Sequence, residues 1–410
     1  MFKLPQNKSV VFVFVLLFTS LVSAVNAQSL SDNERLGKRI FFDKKLSVNA
    51  NQSCASCHGP GVGWTGPLSS INLHGAVYEG SVPGRFGNRK PPSSAYATLS
   101  PIFHYWEREG LFVGGNFWDG RATGEKLGNP AADQAQGPFL NPLEQALMTP
   151  SDVVERICNG PYANLFIKVW GEAACDPTAV DTAYDYVALS VAEYEDSKEV
   201  NAFTSKYDAY LMHEEKLSKQ ERQGLKLFKG KARCSKCHSI SGKRPLFTDF
   251  TYDNLGVPRN PENPFYTQLD FNPEGYDWVD TGLGGFLETR PDYADKAAEN
   301  YGKQKVPTLR NVDKRPSDNF VKAYGHNGYF KSLKGIVHFY NTRDVKPACV
   351  DMFTTEADAL AQGCWPEPEV AENINTSELG NLGLTDSEEN ALVSFMQTLS
   401  DGYIEDDDDD

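Results

Sequence analysis

Apolar residues recur at helical spacing behind three capping boxes. The boxes are Ser31-x-x-Glu34, Ser218-x-x-Glu221 and Thr385-x-x-Glu388. In such a box, a hydroxyl and a carboxylate three residues apart satisfy free N–H groups at the start of a helix. Behind the third box, Leu392, Phe395 and Leu399 lie three and four residues apart, on one helical face. The pattern therefore predicts a helix at each of the three places.

The first two predicted helices belong to a repeat. Residues 35–41 and 222–228 both read Arg-x-Gly-x-x-x-Phe, and each segment leads into a Cys-x-x-Cys-His motif. The cysteine motifs begin at Cys54 and Cys234, 180 residues apart. Internal duplication of a helical unit is the simplest interpretation.

The rest of the chain divides into helical and loop segments. Further helices are predicted at 151–170 and 177–194, with a linker between the two halves near 195–217. Gly and Pro are frequent in 59–130 and 241–316, which predicts long loops, and long loops in a small helical domain usually enclose something. Strand signals are sparse, so the predicted fold class is mainly α.

The first 27 residues have the layout of a signal peptide. Lys3 and Lys8 form a basic start, the stretch 10–22 is almost wholly apolar, and small residues at 25–27 suit a signal peptidase. We expect cleavage there and export of a bacterial protein to the periplasm, the cell surface or the medium. An uncleaved membrane anchor is the alternative, although the apolar run is short for a spanning helix. No membrane span is expected after cleavage.

The balance of charge is acidic. The 410 residues contain 40 Lys and Arg against 55 Asp and Glu, a formal net charge of −15, and loss of Lys3 and Lys8 would make it −17. A nucleic-acid-binding protein needs a basic surface, so no nucleic-acid partner is expected. The acidic run 405–410 is predicted to be a solvated tail.

The eight cysteines fall into two sets. Cys158, Cys175, Cys349 and Cys364 are predicted to form two local disulfides, one in each half, because an exported protein meets an oxidising compartment. Cross-pairing and free thiols are the alternatives. The other four cysteines belong to the two Cys-x-x-Cys-His motifs.

Each Cys-x-x-Cys-His motif predicts a covalently attached c-type haem. The motifs are Cys54-Ala55-Ser56-Cys57-His58 and Cys234-Ser235-Lys236-Cys237-His238. The thiols would bind two vinyl groups at one porphyrin edge, and His58 and His238 would be the proximal iron ligands. A thioredoxin-like redox pair would need a βαβ context, and zinc would need two distant motifs to meet. We therefore expect two cytochrome-c-like haem domains with long loops and little β structure, at 28–200 and 201–404.

The sixth ligand of each iron decides its chemistry. A Met ligand raises the reduction potential and suits electron transfer, a Tyr ligand stabilises oxidised iron, and an open face lets peroxide bind. The remaining candidates are His74, His104, His213, His326, His338, Met148, Met212, Met352 and Met396. Spacing alone leaves the choice among them open.

Further motifs accompany the two haem motifs. They are Phe117-Trp118-Asp119-Gly120-Arg121, Gln134-Ala135-Gln136-Gly137-Pro138, Asn141-Pro142-Leu143-Glu144, Val306-Pro307-Thr308-Leu309-Arg310-Asn311-Val312, His326-x-Gly328 and Val337-His338-Phe339-Tyr340. In these motifs the chain resembles the di-haem cytochrome c peroxidase superfamily, and its MauG-like branch in particular. The resemblance covers nearly all of the chain after the predicted signal peptide.

For the N-terminal haem, the resemblance implies a peroxide-binding site. Glu144 would be the distal acid and base that moves the peroxide proton, with Gln134 and Pro138 in the same pocket. Trp118 would lie between the haems as an electron relay. His74 stands where ordinary peroxidases of the family have a distal iron ligand, and it is either that ligand or a loop residue.

For the C-terminal haem, the resemblance implies a sixth ligand 14 residues beyond His326. Ordinary peroxidases have Met there, whereas this chain has Tyr340, which is the MauG-like pattern. Such a haem would share a high-valent state with the first haem through Trp118. The alternative is that Tyr340 is a buried aromatic residue on a helix face.

The resemblance also implies a calcium ion between the haems, held by an Asn side chain and backbone carbonyls. Here Lys90 stands where the Asn would be, and the carbonyls would come from about Val321 and Ala323. A Lys ammonium can substitute for the cation, so calcium is left open.

Three functions follow, in order of preference. The first is oxidation, by hydrogen peroxide, of Trp or Tyr residues of a partner protein. Surface aromatic residues would carry the oxidising equivalents outward, and the candidates are Trp106, Trp170, Trp278 and Trp365. The second is a peroxidase fed by a small cytochrome c or cupredoxin, where a basic carrier would suit the acidic surface. The third is a non-catalytic di-haem electron carrier, against which Glu144 argues.

Overall fold

The computed structural model describes Met1 and residues 29–404. The rest of the predicted signal peptide and the acidic run 405–410 lie outside the described residues. Helices dominate the described part and strands are few, so the prediction of a mainly α fold is confirmed. Within this part, no helix is long and apolar enough to cross a membrane.

The helices and strands are numbered along the chain. The helices are α1 (Asp32–Phe42), α2 (Cys54–Cys57), α3 (Ser69–Leu73), α4 (Pro130–Leu140), α5 (Pro150–Cys158), α6 (Ala163–Trp170), α7 (Val180–Asp196), α8 (Lys206–Leu211), α9 (Lys219–Lys229), α10 (Gly282–Glu288), α11 (Leu333–Thr342), α12 (Glu356–Gln362) and α13 (Asp386–Gln397). The strands are β1 (His104–Trp106), β2 (Leu111–Val113), β3 (Tyr252–Asp253) and β4 (Gln304–Lys305). β1 pairs with β2 and β3 with β4, both antiparallel, in two separate sheets. All four strands lie in the segments predicted as long loops.

The three helices predicted from capping boxes are confirmed. Ser31, Ser218 and Thr385 are the N-cap residues of α1, α9 and α13. Each hydroxyl accepts a hydrogen bond from the backbone of the glutamate three residues on, and that glutamate accepts one from the cap residue in return. Local sequence alone therefore fixes where these helices begin.

The helix predicted at 151–170 is two helices. α5 ends at Cys158 and α6 begins at Ala163. Gly160 and Pro161 lie between them, and a proline has no N–H to continue a helical ladder. The helix predicted at 177–194 is confirmed as α7, which begins three residues later because residues 177–179 form a 3₁₀ turn.

The repeated glycine brings two helices of the N-terminal half into backbone contact. A Cβ on Gly37 of α1 would lie 1.8 Å from the backbone oxygen of Ser190 in α7 and 2.8 Å from Cβ of Tyr194. Only a residue without a side chain lets the two helices cross this closely. The pair lies at the centre of a hydrophobic core whose buried members run from Leu36 to Val200.

The C-terminal half repeats this contact. A Cβ on Gly224 of α9 would lie 1.9 Å from the backbone oxygen of Ala391 in α13 and 2.7 Å from Cβ of Phe395. The buried members of the second core run from Tyr207 to Leu399. The predicted domain boundary at residues 200 and 201 lies between the two cores and stays a prediction.

Both predicted disulfides are present. Cys158 pairs with Cys175, and Cys349 pairs with Cys364, over sequence separations of 17 and 15 residues. Each bridge closes a local loop within its own half, so neither ties the halves together. In a chain-entropy estimate, a loop of this size contributes about 3 kcal/mol to stability.

Alanine at either repeated glycine should destabilise the protein. Because the new Cβ would overlap a backbone oxygen of the neighbouring helix, we expect Gly37→Ala and Gly224→Ala each to lower the free energy of unfolding by about 3 kcal/mol. Gly61→Ala is the matched control, since a Cβ there meets nothing within 4 Å. Thermal unfolding followed by circular dichroism measures the difference. Equal melting temperatures for the three variants would contradict the close crossing.

Candidate functional site

A large cavity lies beside each cysteine motif. The N-terminal cavity holds about 1400 Å³ of space, partly open to solvent, and Cys57 and His58 are in its wall. The C-terminal cavity holds about 1440 Å³, and Cys234, Cys237 and His238 are in its wall. Much of both walls comes from the Gly- and Pro-rich segments, which were predicted to enclose something.

The two histidines have the same hydrogen bond. Nδ1 of His58 lies 3.2 Å from the backbone oxygen of Trp64, and Nδ1 of His238 lies 2.8 Å from that of Phe247. A proton on Nδ1 leaves Nε2 free as a metal ligand. Burial lowers the pKa of His58 to about 4 and also lowers that of His238, so both rings are neutral, the form that binds a metal.

The donor groups fit a covalently attached haem at each motif. Cys54, Cys57, Cys234 and Cys237 are the free cysteines of the described residues. In each motif the thiols are three residues apart on a short helical turn, with the histidine next, against a mostly apolar cavity wall. The four thiols would hold the two porphyrins, and His58 and His238 would bind the irons.

Glu144 lies in the wall of the N-terminal cavity. Gln134 lines the same cavity, and Pro138 lines a side pocket that also contains His58, Gln134 and Glu144. Nδ2 of Asn141 donates to Oε1 of Glu144 at 2.7 Å, which fixes the carboxyl group. Burial raises the pKa of Glu144, against smaller opposing effects of Arg121 and Asn141. A carboxyl group with a raised pKa is suited to accept and release a proton near neutral pH.

Trp118 lies in the wall that the two cavities share. Its indole Nε1 donates to the backbone oxygen of Lys90 at 2.8 Å, and the backbone N of Lys305 donates to the Trp118 oxygen at 2.7 Å. Only 8% of Trp118 is exposed. Lys90 and Lys305 come from the two loop segments, so loops of both halves hold this indole in place. Its position between the cavities could not be deduced from spacing.

Tyr340 lies on α11 and lines the C-terminal cavity together with His238. Burial raises the pKa of its phenol. A methionine also lines this cavity, Met396 of α13. Met352, a candidate considered from the sequence, is 39% exposed and lines neither cavity.

The repeat indicates where Met396 stands. Met396 follows Phe395, which packs against Gly224, just as Glu195 follows Tyr194, which packs against Gly37. Glu195 lines the N-terminal cavity near Cys54, whose pKa is raised by burial and further by the charge of Glu195. By this equivalence we expect Met396 to lie near the cysteine edge of its own cavity. Sequence reasoning missed Glu195, whose pKa burial raises to about 8; the only signal was its place relative to the repeat.

His74 lies at the surface. Its side chain is 64% exposed, and Nδ1 is 2.8 Å from Oε1 of Glu262. It lines neither of the two large cavities. This placement gives no support to an iron-ligand role, and no step below depends on it.

Two buried lysine side chains occupy the region for which the resemblance implies calcium. Nζ of Lys90 donates to Oγ1 of Thr65 at 3.0 Å and to the backbone oxygen of Pro91 at 2.9 Å. Burial lowers the pKa of Lys90 to about 8, so most of it is still protonated at neutral pH. An ammonium in place of an oxygen donor repels a divalent cation, and so Lys90 does not fit a calcium site.

Lys322 is the second buried lysine, and sequence reasoning did not single it out. Burial lowers its pKa well below the usual range. Its Nζ donates to the backbone oxygens of Val62, Asn311 and Lys314, at 2.9, 2.6 and 3.1 Å. A cage of carbonyl oxygens is what a bound cation would need, and here a side chain of the chain itself fills it. Val321 and Ala323, the expected sources of calcium ligands, are its neighbours in sequence.

Comparison with known proteins gives consistent matches. A family model described as di-haem cytochrome c peroxidase matches residues 31–216. The methylamine utilization protein MauG of Paracoccus denitrificans (strain Pd 1222) is 36% identical over 376 residues, 90% of this chain and 89% of MauG. The cytochrome c551 peroxidase of Nitrosomonas europaea is 26% identical over 319 residues, 77% of this chain and 74% of that protein. The solved diheme peroxidase BthA of Burkholderia thailandensis E264 is 28% identical, with a TM-score of 0.73, covering 92% of this chain and 87% of BthA.

The lysine arrangement predicts that the protein works without calcium. We expect purified protein to contain no calcium after desalting, and dialysis against EGTA to leave its melting temperature and its peroxide reaction unchanged. Atomic emission analysis and thermal unfolding measure this. A tightly held calcium ion in each chain, or a loss of stability in EGTA that calcium restores, would contradict the prediction.

Proposed function

The chain belongs to the di-haem cytochrome c peroxidase family, and on that basis we propose that it uses hydrogen peroxide to oxidise aromatic residues of a partner protein. Family membership makes it a peroxide-dependent oxidoreductase with two c-type haems. The finer proposal depends mainly on one observation, that Tyr340 lines the C-terminal cavity while Trp118 stands in the wall shared with the N-terminal cavity.

The haems, when bound, supply the redox chemistry: two electrons leave the enzyme for hydrogen peroxide, and the substrate later replaces them. The side chains divide the remaining work. In the N-terminal cavity, Glu144 takes the proton from the inner oxygen of peroxide and returns it to the outer oxygen. Asn141 holds the carboxyl group in place for this transfer, and Gln134 and Pro138 complete the pocket.

In this proposal the C-terminal cavity does not react with peroxide; it stabilises the oxidised state that the reaction produces. A phenol oxygen from Tyr340 would complete the coordination there, which stabilises oxidised iron, whereas a methionine would favour the reduced state. Trp118 lies between the two cavities and would pass electrons from one to the other. The hydrogen bond from its indole N–H to Lys90 orients the ring, and the bond from Lys305 to its backbone oxygen fixes the main chain, so little rearrangement accompanies the transfer.

The proposed location is outside the cytoplasm of a bacterium. The signal-peptide pattern and the two disulfides support export, because such bridges persist in oxidising compartments. The substrate would be a protein that presents an oxidisable Trp or Tyr. MauG is named for methylamine utilization. For this chain, the proposed class of substrate rests on its own residues Tyr340 and Trp118.

A second function has an observation in its favour. Several relatives are named as cytochrome c peroxidases, and the net charge of −15 suits a basic electron carrier. In that case the enzyme would reduce peroxide with electrons from a small cytochrome c or cupredoxin. A non-catalytic electron carrier is not supported, since the family consists of enzymes.

Stoichiometric hydrogen peroxide separates the two functions. We expect the fully oxidised holoenzyme to react at once and to give a long-lived oxidised state that absorbs in the near infrared. A peroxidase of the second kind would instead turn over only after partial reduction, with a reduced small cytochrome c as donor. Stopped-flow absorption spectra with and without prior reduction distinguish these outcomes, and the second result would contradict the proposal.

Removal of the Glu144 carboxylate should slow the reaction with peroxide. Because an amide cannot carry the proton, we expect Glu144→Gln to lower the second-order rate constant by about 10²–10⁴-fold. Glu195→Gln is the matched control, because Glu195 is a second buried carboxyl group of the same cavity and has no role in the proposed proton transfer, and we expect a much smaller effect. Stopped-flow mixing measures both. Equal effects would remove Glu144 from the proposed role.

Replacement of Tyr340 should change the reduction potential and the EPR signal of the C-terminal haem but not those of the N-terminal haem. We expect Tyr340→Met to raise the reduction potential of that haem and to abolish the long-lived oxidised state. Met396→Leu should leave both properties as in the wild type, since we expect that side chain to lie near the cysteine edge. Spectroelectrochemistry and EPR measure them. If Met396→Leu changed the EPR signal of the C-terminal haem and Tyr340→Met did not, the ligand would be Met396 and the assignment of Tyr340 would be wrong.

A further inference from the structure

A line of buried side chains leads from Trp118 to the surface at Tyr276. We propose that Tyr266 and Tyr276 form a relay that carries electrons from the surface to Trp118, with Glu369 as the proton acceptor of Tyr266. The inference rests on the proposed function, because it supplies the path by which a protein substrate too large for the cavities gives up its electrons.

Two polar side chains link Trp118 to Tyr266. The ring of His326 lies 6.5 Å from the ring of Trp118, centre to centre. Nε2 of His326 is 3.5 Å from Oε2 of Glu369, and the hydroxyl of Tyr266 donates to Oε1 of Glu369 at 3.4 Å. His326, Glu369 and Tyr266 are each more than nine-tenths buried, so this stretch is screened from solvent.

One ring contact connects Tyr266 to the surface. The ring of Tyr276 stacks on that of Tyr266, 5.3 Å away and inclined by 27°. Tyr276 is 48% exposed, whereas Tyr266 is 1% exposed. Trp278 also lies close, with its ring 6.2 Å from Tyr266. An electron that enters at Tyr276 therefore meets a continuous series of contacts towards Trp118.

Electrons move from the surface towards Trp118, whereas each phenol proton moves only to an adjacent acceptor and back. Tyr266 gives one electron to oxidised Trp118, and its hydroxyl proton moves to Oε1 of Glu369. Tyr276 then gives an electron to Tyr266, whose proton returns from Glu369. Tyr276 releases its own phenol proton to solvent and is restored by an electron from the partner's aromatic residue and a proton from solvent. Two such electrons, with two solvent protons, reduce hydrogen peroxide to two waters.

The position of Glu369 is what makes Tyr266 a relay residue. Burial raises the pKa of Tyr266, and the charge of Glu369 raises it further, so the phenol keeps its proton at rest. A tyrosine that loses an electron becomes a strong acid and needs an acceptor at hydrogen-bond distance. Trp118 has no such need, because its N–H donates to a backbone oxygen and stays in place.

The route towards Trp106 lacks these properties. Trp106 is 47% exposed on β1, but phenylalanine rings of Phe103 and Phe112 occupy the path, and phenylalanine is not readily oxidised. Three tyrosines pack on that side, Tyr105, Tyr252 and Tyr293, and the buried one, Tyr252, donates its hydroxyl to the backbone oxygen of Gly114, which is not a base. The geometry therefore favours the surface at Tyr276.

Three variants of the full-length holoenzyme test the relay. Tyr266→Phe removes the hydroxyl but keeps the ring. Tyr329→Phe is the matched control, because Tyr329 is also 1% exposed and donates to a backbone oxygen, that of Thr354. Glu369→Gln keeps both tyrosines and removes the proton acceptor. Each protein is mixed with stoichiometric hydrogen peroxide in the absence of a partner, and both freeze-quench EPR and peptide mass spectrometry are applied.

We expect a tyrosyl radical and oxidised Tyr276 in the wild type and in Tyr329→Phe. Both signals should fall to background in Tyr266→Phe and in Glu369→Gln. Undiminished oxidation of Tyr276 in Tyr266→Phe would overturn the relay and leave the proposed function standing. If wild-type enzyme oxidises no side chain, yet consumes peroxide with a reduced small cytochrome c, the proposed function fails and the relay with it.

Discussion

The structure depends on a wall that two cavities share. Lys90, Pro92, Trp118 and residues 305–308 line both cavities, so any shift of this wall changes both sites at once. Backbone hydrogen bonds from and to Trp118 fix it, and Arg89 adds buried ion pairs to Asp119 and Asp280 at 2.6 Å. Buried ion pairs of this kind are costly to break singly, which keeps the wall in one arrangement.

The two halves share a framework, and single residues give them different chemistry. Gly37 and Gly224 set the same helix crossing, yet the residues that follow the crossing, Glu195 and Met396, differ in polarity. The N-terminal cavity has carboxyl groups whose pKa burial raises, and these are suited to proton transfer. The C-terminal cavity presents the phenol of Tyr340 and Met396, with the carboxyl groups of Asp253 and Glu378 beside Cys237. Under the proposed function, the phenol suits a site that stores the effect of an oxidant received at the other site.

Local sequence signals were sufficient for the framework of the fold. Capping boxes and the repeated glycine are short-range features, and the helices they predict are present at the expected residues. The shared wall was beyond such reasoning, because residues near 90, 118 and 305 meet only through long loops. The buried Lys322 was missed for the same reason, because its three carbonyl partners come from residues 62, 311 and 314. The disulfides could be predicted because each is local.

The cavity walls also bear on whether either half could stand alone. Thr248 and Phe250, from the second half, line the N-terminal cavity, while Gly63 and Thr65, from the first half, line the C-terminal one. Each half therefore supplies part of the enclosure of the other half's cavity. If the chain were cut between residues 200 and 201 and the halves were separated, both cavities would lose part of their wall and open to solvent.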